Sequence, residues 1–378
     1  MQPLQPGALP CAPINPGVLR NIVFAVTSDL TYDQRMQRVC RSLSAAGYGV
    51  TLVGRRLPNS IPLSTEPYRQ HRMRCFFNKG KLFYLEFQCR LLIRLFRERV
   101  DVVCAVDLDT ALPCYLLSRL KGIPRVMDAH ELFSEMKEVV SRPIIRMVWK
   151  SVERFVIPRF PKGYTVSTQI SRHFRDEYGV DYAVVRNMPL FREPVPGVAK
   201  GDYILYQGSV NEGRCFEWLL PAMGEVEKHL HIYGDGNLLD EVGRRIAALG
   251  IGEKAILMGK RTPEELRGIT AAALVGVNLV EDCGLSNRYS LANRFFDYVQ
   301  AGIPQICSDL PAYRELNGKF RVAVLVDGSD PEGIASALNN LMGDVVLMAE
   351  LGNNCRLAAR VWNWQSEEST LLGFYRNL

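Results

Sequence analysis

The chain of 378 residues is long enough for two domains, and 47% hydrophobic and 23% charged residues are ordinary values for a globular protein. No apolar run reaches the roughly 18 residues of a membrane span, and the first residues lack the basic and apolar segments of a signal peptide. Ten scattered cysteines without a Cys-x-x-Cys motif argue against a disulfide framework and a zinc site, so we expect a cytoplasmic protein.

The net charge of +6 is unevenly distributed along the chain. Residues 1–100 contain 15 Lys and Arg against 5 Asp and Glu, whereas residues 201–378 contain 16 against 23. A basic N-terminal part joined to an acidic C-terminal part predicts two different partners.

Residues 1–19 are rich in proline and are predicted to be a disordered tail. Apolar strands and amphipathic helices then alternate over residues 20–190, which predicts a parallel sheet with helices on both faces. The predicted strands begin near residues 21, 50, 100, 125, 164 and 183, and helices are expected near residues 80–99, 110–120 and 135–160.

Proline and glycine predict an interdomain linker at residues 191–200. A second alternating series occupies residues 201–360, with strands beginning near residues 203, 229, 255, 275, 305 and 323. The predicted fold class is α/β, with two doubly wound Rossmann-like domains that face each other across a cleft.

The segment from Ser290 to Pro304 contains one acidic residue, Asp297, in a predicted helix that ends at Gly302 and leads into a buried strand. A carboxylate at this place can accept two hydrogen bonds from a ribose diol. The alternative is a solvated helix carboxylate without a ligand.

A strand, a glycine turn and a helix start follow one another at Tyr206, Gly208 and Phe216. This is a phosphate-binding layout, because glycine lets the backbone approach a ligand and the helix N-terminus supplies N–H groups. A tight turn that simply needs glycine is the alternative reading.

The first domain offers polar residues at the carboxyl ends of strands, where α/β sheets bind ligands. His130 and Glu131 follow one strand, and Asp33 and Arg35 lie in the first loop and helix start. Asp107 and Asp109 form an Asp-x-Asp pattern that suggests a metal site, but we expect Asp109 to cap the following helix.

The predicted helix Lys79–Arg99 combines a wide apolar face with six cations. It is either a core helix with a basic outer face or a helix that lies on an anionic leaflet near a lipid-linked acceptor. Nucleic acid is a poorer explanation, because no recognition module is visible.

The segment Ser290-Leu291-Ala292-Asn293-Arg294-Phe295-Phe296-Asp297-Tyr298 resembles the nucleotide-sugar signature of family 4 glycosyltransferases, with Ala292 for Pro and Arg294 for Lys. The turn after Tyr206 resembles the family's G-R-x-x-x-x-K-G motif. Ser209 replaces its Arg, Arg214 aligns with its Lys, and Arg288 or Arg294 could supply the missing cation.

The resemblance implies a bacterial polysaccharide or glycoconjugate enzyme of the two-Rossmann-domain (GT-B) type. It implies that Asp297 binds the donor ribose and that residues 361–378 return to the first domain as a helix. His130 and Glu131 would be catalytic residues that orient the sugar, and Asp33 and Arg35 would face the acceptor. The other implied donor-binding residues are Gly208, Arg214, Gly234, Lys260, Tyr289, Ser290, Leu291 and Asn293.

One family feature is missing, because the residue eight positions before Asp297 is Tyr289 and not a carboxylate. The implied reaction is retaining transfer of a sugar from a nucleoside diphosphate sugar to a hydroxyl of a glycan or lipid-linked glycan, without metal or other cofactor. A hydrolysing nucleotide-sugar epimerase and a non-catalytic subunit of a glycosylation complex are the alternatives. The expected location is the cytoplasm, either free or peripheral on the inner face of the membrane.

Overall fold

The computed structural model describes residues 20–31, 33–58, 60–193 and 197–378. The predicted tail over residues 1–19 and part of the predicted linker lie outside the described residues. The described chain divides into two compact units, the first formed by residues 20–127 with Leu378 and the second by Asp128–Asn377.

Two parallel sheets organise the chain, as the alternating pattern predicts. The seven-stranded sheet has the order β3-β2-β1-β4-β5-β6-β7. Its strands are β1 (Asn21–Ala25), β2 (Gly49–Arg56), β3 (Arg69–Arg74), β4 (Val102–Val106), β5 (Arg125–Ala129), β6 (Gly163–Thr165) and β7 (Ala183–Val184).

Helices connect these strands, because each parallel pair needs a crossover. They are α1 (Gln34–Ala45), α2 (Gly80–Arg97), α3 (Ala111–Lys121), α4 (Lys137–Val140), α5 (Pro143–Val156) and α6 (Thr168–Tyr178).

Two local predictions for this part of the chain are wrong. The single helix expected over residues 135–160 is broken, because Pro143 lacks a backbone N–H and starts a new helix, α5. The strand β3 was not predicted, since the sequence Arg-Gln-His-Arg-Met-Arg has no apolar alternation. It pairs with β2 from Arg69 to Arg74 at the edge of the sheet, where only Met73 of its six residues is buried.

The six-stranded sheet has the order β10-β9-β8-β11-β12-β13. Its strands are β8 (Tyr203–Gln207), β9 (His229–Tyr233), β10 (Ala255–Gly259), β11 (Val275–Asn278), β12 (Gln305–Ser308) and β13 (Ala323–Val326). Its central strands are buried on both faces, as the apolar run Ile204–Tyr206 shows.

The helices of this part cover the faces of the second sheet or follow it. They are α7 (Phe216–Ala222), α8 (Leu239–Ala248), α9 (Pro263–Ala272), α10 (Gly284–Tyr289), α11 (Asn293–Ala301), α12 (Pro311–Asn317), α13 (Pro331–Gly343), α14 (Val345–Ala359) and α15 (Trp364–Arg376).

Among the described residues no single helix has the length and apolar character needed to cross a bilayer. The helical segments over residues 331–343 and 345–376, which meet at a bend of 91°, meet that requirement only when they are taken together.

Candidate donor site

The second sheet changes direction of winding between β8 and β11, which lie side by side although β9 and β10 separate them in sequence. Ligands of doubly wound sheets bind outside the carboxyl ends of the strands at such a switch point. The loops that leave β8 and β11 are therefore the candidate site, and a hydrogen bond from Glu281 N to Gly213 O, 3.1 Å long, joins them.

Two glycines let the turns after β8 and β9 touch. A Cβ atom on Gly234 would lie 1.8 Å from the carbonyl oxygen of Gly208, a distance that no side chain can occupy. Gly208 has a φ of +126° and donates its N–H to Tyr233 O, 3.0 Å away. Gly234 is therefore required for close packing and Gly208 for its backbone conformation, with or without a ligand.

Arg294 points from α11 towards the glycine turn. Its guanidinium lies over the Tyr206 ring, 4.8 Å from the centroid, and donates to Leu279 O at 2.7 Å and to the Tyr206 hydroxyl at 3.2 Å. Its Nη1 would be 3.7 Å from a Cβ on Gly208. Arg294 therefore lies beside the glycine turn, whereas Arg288 is exposed and its Nε lies 3.6 Å from Asp282.

Arg214 completes a pair of like charges with Arg294. Burial, together with the positive charge of Arg294, lowers the pKa of Arg214 below its ordinary value. Within the described ranges neither arginine has a carboxylate within 4 Å, and the Nε atoms of both lack a hydrogen-bond partner. Two like charges that are partly or fully removed from solvent favour an anion nearby, which makes this pair the candidate anion contact.

Asp297 lies on the second turn of α11 and is half-exposed. One carboxylate oxygen accepts a hydrogen bond from Gln207 Nε2, 3.0 Å away, and Gln207 Oε1 accepts one from Thr270 Oγ1 at 2.6 Å. Gln207 is the last residue of β8, so this chain of bonds fixes Asp297 beside the glycine turn. Sequence reasoning missed Gln207, although its place at the strand end is a signal.

The segment before α11 holds the remaining predicted residues of this loop. Tyr289 ends α10, Ser290 donates its hydroxyl to Asn287 O at 3.1 Å, and Leu291 packs on the apolar cluster around Phe295. Asn293 is the first residue of α11, and its Oδ1 accepts a hydrogen bond from Asn187 at 2.8 Å.

Lys260 is exposed directly after β10, the edge strand of the second sheet. The turn that precedes it is tied to the site, because Gly234 N donates to Gly259 O at 3.1 Å. The adjacent Arg261 lies 6.0 Å from the centre of the Tyr233 ring.

His130 and Glu131 follow β5 and are half-buried. The Nε2 atom of His130 lies 3.1 Å from Oδ2 of Asp128, which is fully buried in the sheet. The polar cluster predicted at this strand end therefore exists in the second unit.

Asp33 and Arg35 belong to the first unit, and Asp33 forms hydrogen bonds with residues close to it in sequence. Asp33 is the N-cap of α1, where it accepts from Met36 N at 3.1 Å and from Ser28 Oγ at 2.7 Å. Arg35 is buried. Asp109 does not cap α3 as expected, because its carboxylate accepts a hydrogen bond from Thr27 at 2.6 Å and α3 has no side-chain cap.

Family models match both halves of the chain. The model described as Glycosyltransferase Family 4 matches residues 34–188, and the model described as Glycosyl transferases group 1 matches residues 201–344. The chain belongs to the family 4 glycosyltransferases. No curated protein sequence matches it significantly.

Solved glycosyltransferases share the fold of this family 4 chain. Sucrose-phosphate synthase from Thermosynechococcus elongatus is 16% identical, with a TM-score of 0.80 over 95% of this chain and 98% of that one. HepE from Anabaena, in complex with UDP, is 12% identical, with a TM-score of 0.72 over 95% and 100%. WaaG, a glycosyltransferase involved in lipopolysaccharide biosynthesis, is 13% identical, with a TM-score of 0.70 over 92% and 98%.

These likenesses confirm the predicted GT-B fold of the family 4 glycosyltransferase. The roles predicted for its individual side chains stay predictions, because identities of 12–16% compare folds and not sites.

Proposed function

We propose that the protein transfers a sugar from a UDP-sugar to a hydroxyl group of a glycan or lipid-linked glycan. The observation that carries this proposal is the pair Arg214 and Arg294, two cations without a carboxylate partner in the described structure, beside the turn of Gly208. A diphosphate is an anion that fits two cations and the N–H groups of a glycine turn. HepE has been solved with UDP and with UDP-glucose, which supports UDP as the nucleotide.

The proposed chemistry rests on positioning and charge. The bond between the anomeric carbon and the diphosphate oxygen breaks, and the diphosphate leaves with the electron pair. The acceptor oxygen bonds to the anomeric carbon, and the proton of its hydroxyl passes to the leaving diphosphate oxygen. Arg214 and Arg294 would stabilise the charge that develops on the leaving diphosphate. His130 and Glu131 would orient the sugar by hydrogen bonds, and the family resemblance favours retention of the anomeric configuration.

In this proposal the two predicted domains bind different substrates. Residues 201–360 would bind the nucleotide sugar, residues 20–190 would bind the acceptor, with Asp33 and Arg35 on that side, and residues 361–378 would return to the first domain. No metal or other cofactor is invoked, because arginines and backbone N–H groups would offset the diphosphate charge.

We also propose that the enzyme works on an anionic membrane surface, as a peripheral protein of the inner face, in the assembly of a bacterial polysaccharide or glycoconjugate. The support is α2, whose outer side carries an apolar row formed by Leu82, Leu85, Cys89, Ile93 and Phe96. Leu85 and Ile93 are 65% and 53% exposed. Such a row flanked by cations is typical of a helix that lies in a lipid interface.

The diphosphate contact is tested by calorimetry with UDP and uridine. Arg214→Ala should reduce the affinity for UDP by about 10- to 100-fold, since a hydrogen bond to a charged group contributes about 1.5–3 kcal/mol. The affinity for uridine, which lacks the diphosphate, should be nearly unchanged. Arg244→Ala, at an exposed arginine of α8 paired with Glu241, is the control. Equal weakening of UDP and uridine would make Arg214 a structural residue.

The reaction type is tested with a panel of UDP-sugars. Slow release of UDP without epimerised sugar supports transfer, with water replacing the absent acceptor. Epimerised sugar would show the hydrolysing epimerase instead, and an absence of all nucleotide binding would show a non-catalytic subunit.

A further inference from the structure

The segment that follows His130 is tied to the loop that follows β11. Lys137, the first residue of α4, donates from Nζ to Oε2 of Glu281 over 2.7 Å, although 144 residues separate the two in sequence. The backbone N–H of Glu281 meanwhile donates to Gly213 O, next to Arg214. Glu281 therefore connects α4 with both loops of the donor site.

Backbone packing brings the same two segments together. A Cβ on Gly284 would lie 2.7 Å from the carbonyl oxygen of Glu135, and Gly284 has a φ of +78° that favours glycine. The Glu135 side chain is buried and accepts from Arg146 at 2.9 Å. The two segments are thus in direct contact, with glycine at the closest point.

The surroundings of Glu281 favour its charged form. Burial acts in the opposite direction, but hydrogen bonds from Lys137, Cys283 and Glu217 hold the pKa of Glu281 below its ordinary value. Burial and the hydrogen bond with Glu281 raise the pKa of Glu217, so Glu217 takes up a proton more readily than Glu281 does. Glu281 is thereby kept as the anionic partner of Lys137.

We propose that Lys137 and Glu281 are positioning residues, whose ion pair holds the segment of His130 and Glu131 against the donor loops so that His130 reaches the donor sugar. This inference rests on the proposed function. The Glu281 side chain is 9% exposed but that of Lys137 is 35% exposed, so solvent screens the ion pair and limits what it adds to stability. A displacement of about 1 Å in a reacting group can reduce rate about 100-fold, so the pair matters for geometry more than for folding.

The test compares affinities for UDP-glucose and UDP in wild type, Lys137→Met, Glu281→Gln and the double variant. UDP lacks the sugar that His130 would contact. Each single variant should therefore lose about tenfold in UDP-glucose affinity and much less in UDP affinity. The double variant should lose no more than the single ones, because the pair acts as a unit. Lys228→Met and Asp202→Asn are matched controls, since that ion pair is also 2.7 Å long and Lys228 is similarly exposed.

Hydrogen exchange without nucleotide gives a second readout, which does not depend on the proposed function. Lys137→Met should raise exchange in residues 281–292, and Glu281→Gln should raise it in residues 131–142, whereas the controls should change neither. Unchanged exchange, or equal losses for UDP and UDP-glucose, would overturn the positioning role while leaving the transferase proposal intact. A wild-type protein that binds no UDP would overturn the proposed function and this inference together.

Discussion

At the scale of single residues, two side chains of the candidate donor site are held in place by contacts with the surrounding protein. Arg294 is fixed by a ring, a hydroxyl and a carbonyl group, and Asp297 is fixed by Gln207. A group that is held in place before the ligand arrives loses little entropy on binding. These two side chains of α11 are therefore held in place without a ligand, as the proposed nucleotide site requires.

The role of Asp297 is testable with a nucleotide that lacks one ribose hydroxyl. Wild type should prefer UDP over 2′-deoxy-UDP, because a bidentate carboxylate contact to the diol is partly lost with the deoxy form. Asp297→Ala should reduce the affinity for UDP by about 10- to 100-fold, which corresponds to a loss of about 1.5–3 kcal/mol of binding free energy. It should also remove the preference for UDP over 2′-deoxy-UDP. Calorimetry measures both affinities, and an unfolding curve like that of wild type is the control.

A preference for UDP that survives in Asp297→Ala would assign the ribose contact to another group. In that case Asp297 would have a structural role, in which its hydrogen bond with Gln207 links α11 to β8.

At the scale of elements, ion pairs compensate part of the positive charge of α2. Arg90 pairs with Glu86 at 2.6 Å, and Arg94 pairs with Glu98, so these two charges are largely compensated. In the part of the chain that the structure describes, Lys79, Lys81 and Arg97 have no such carboxylate partner. The exposed apolar row is thus the more prominent feature of the outer face.

We therefore predict that membrane binding by α2 depends on apolar insertion more than on charge. The pair Leu85→Ser and Ile93→Ser should abolish sedimentation with vesicles containing anionic lipid at every salt concentration, because each buried CH₂ contributes about 0.8 kcal/mol. The pair Lys81→Gln and Arg97→Gln should weaken it mainly at low salt, where each cation contributes about 1 kcal/mol.

Val345→Ser with Val346→Ser is the matched control, since these valines of α14 are 78% exposed but lie in the second unit. Vesicle binding that the α2 variants leave intact would assign the row to ordinary surface, and a soluble acceptor would then be favoured.

At the scale of the whole molecule, nucleotide binding should be confined to a few segments of the second unit. All proposed contacts to the nucleotide come from the turns after β8, β9 and β10 and from the loop and helix after β11. Ligand binding slows amide exchange where it restricts local opening. UDP should therefore protect residues 207–214 and 281–298 from exchange and leave α2 unchanged, as measured by mass spectrometry. Protection spread evenly over both units would contradict a site localised at the β8–β11 switch point.

Much of the architecture could be read from local patterns. Buried runs such as Val102–Val106 and helices that end at Gly122 or Gly302 are set by residues close in sequence, and the structure contains them. The strand β3 could not be read in this way, because its pairing with β2 and not its own apolar content makes it a strand. The break at Pro143 was visible in the sequence, since proline at a first helical position is a local signal.

The alternation of strands and helices, the glycine turn at Gly208 and the place of Asp297 on a helix follow from the sequence, because each depends on neighbours a few residues away. The position of Arg294 over the Tyr206 ring and the ion pair between Lys137 and Glu281 follow only from the folded chain. Both contacts join side chains that are far apart in sequence. Their strength depends on distance, burial and compensating charge, and a local sequence pattern contains none of these three quantities.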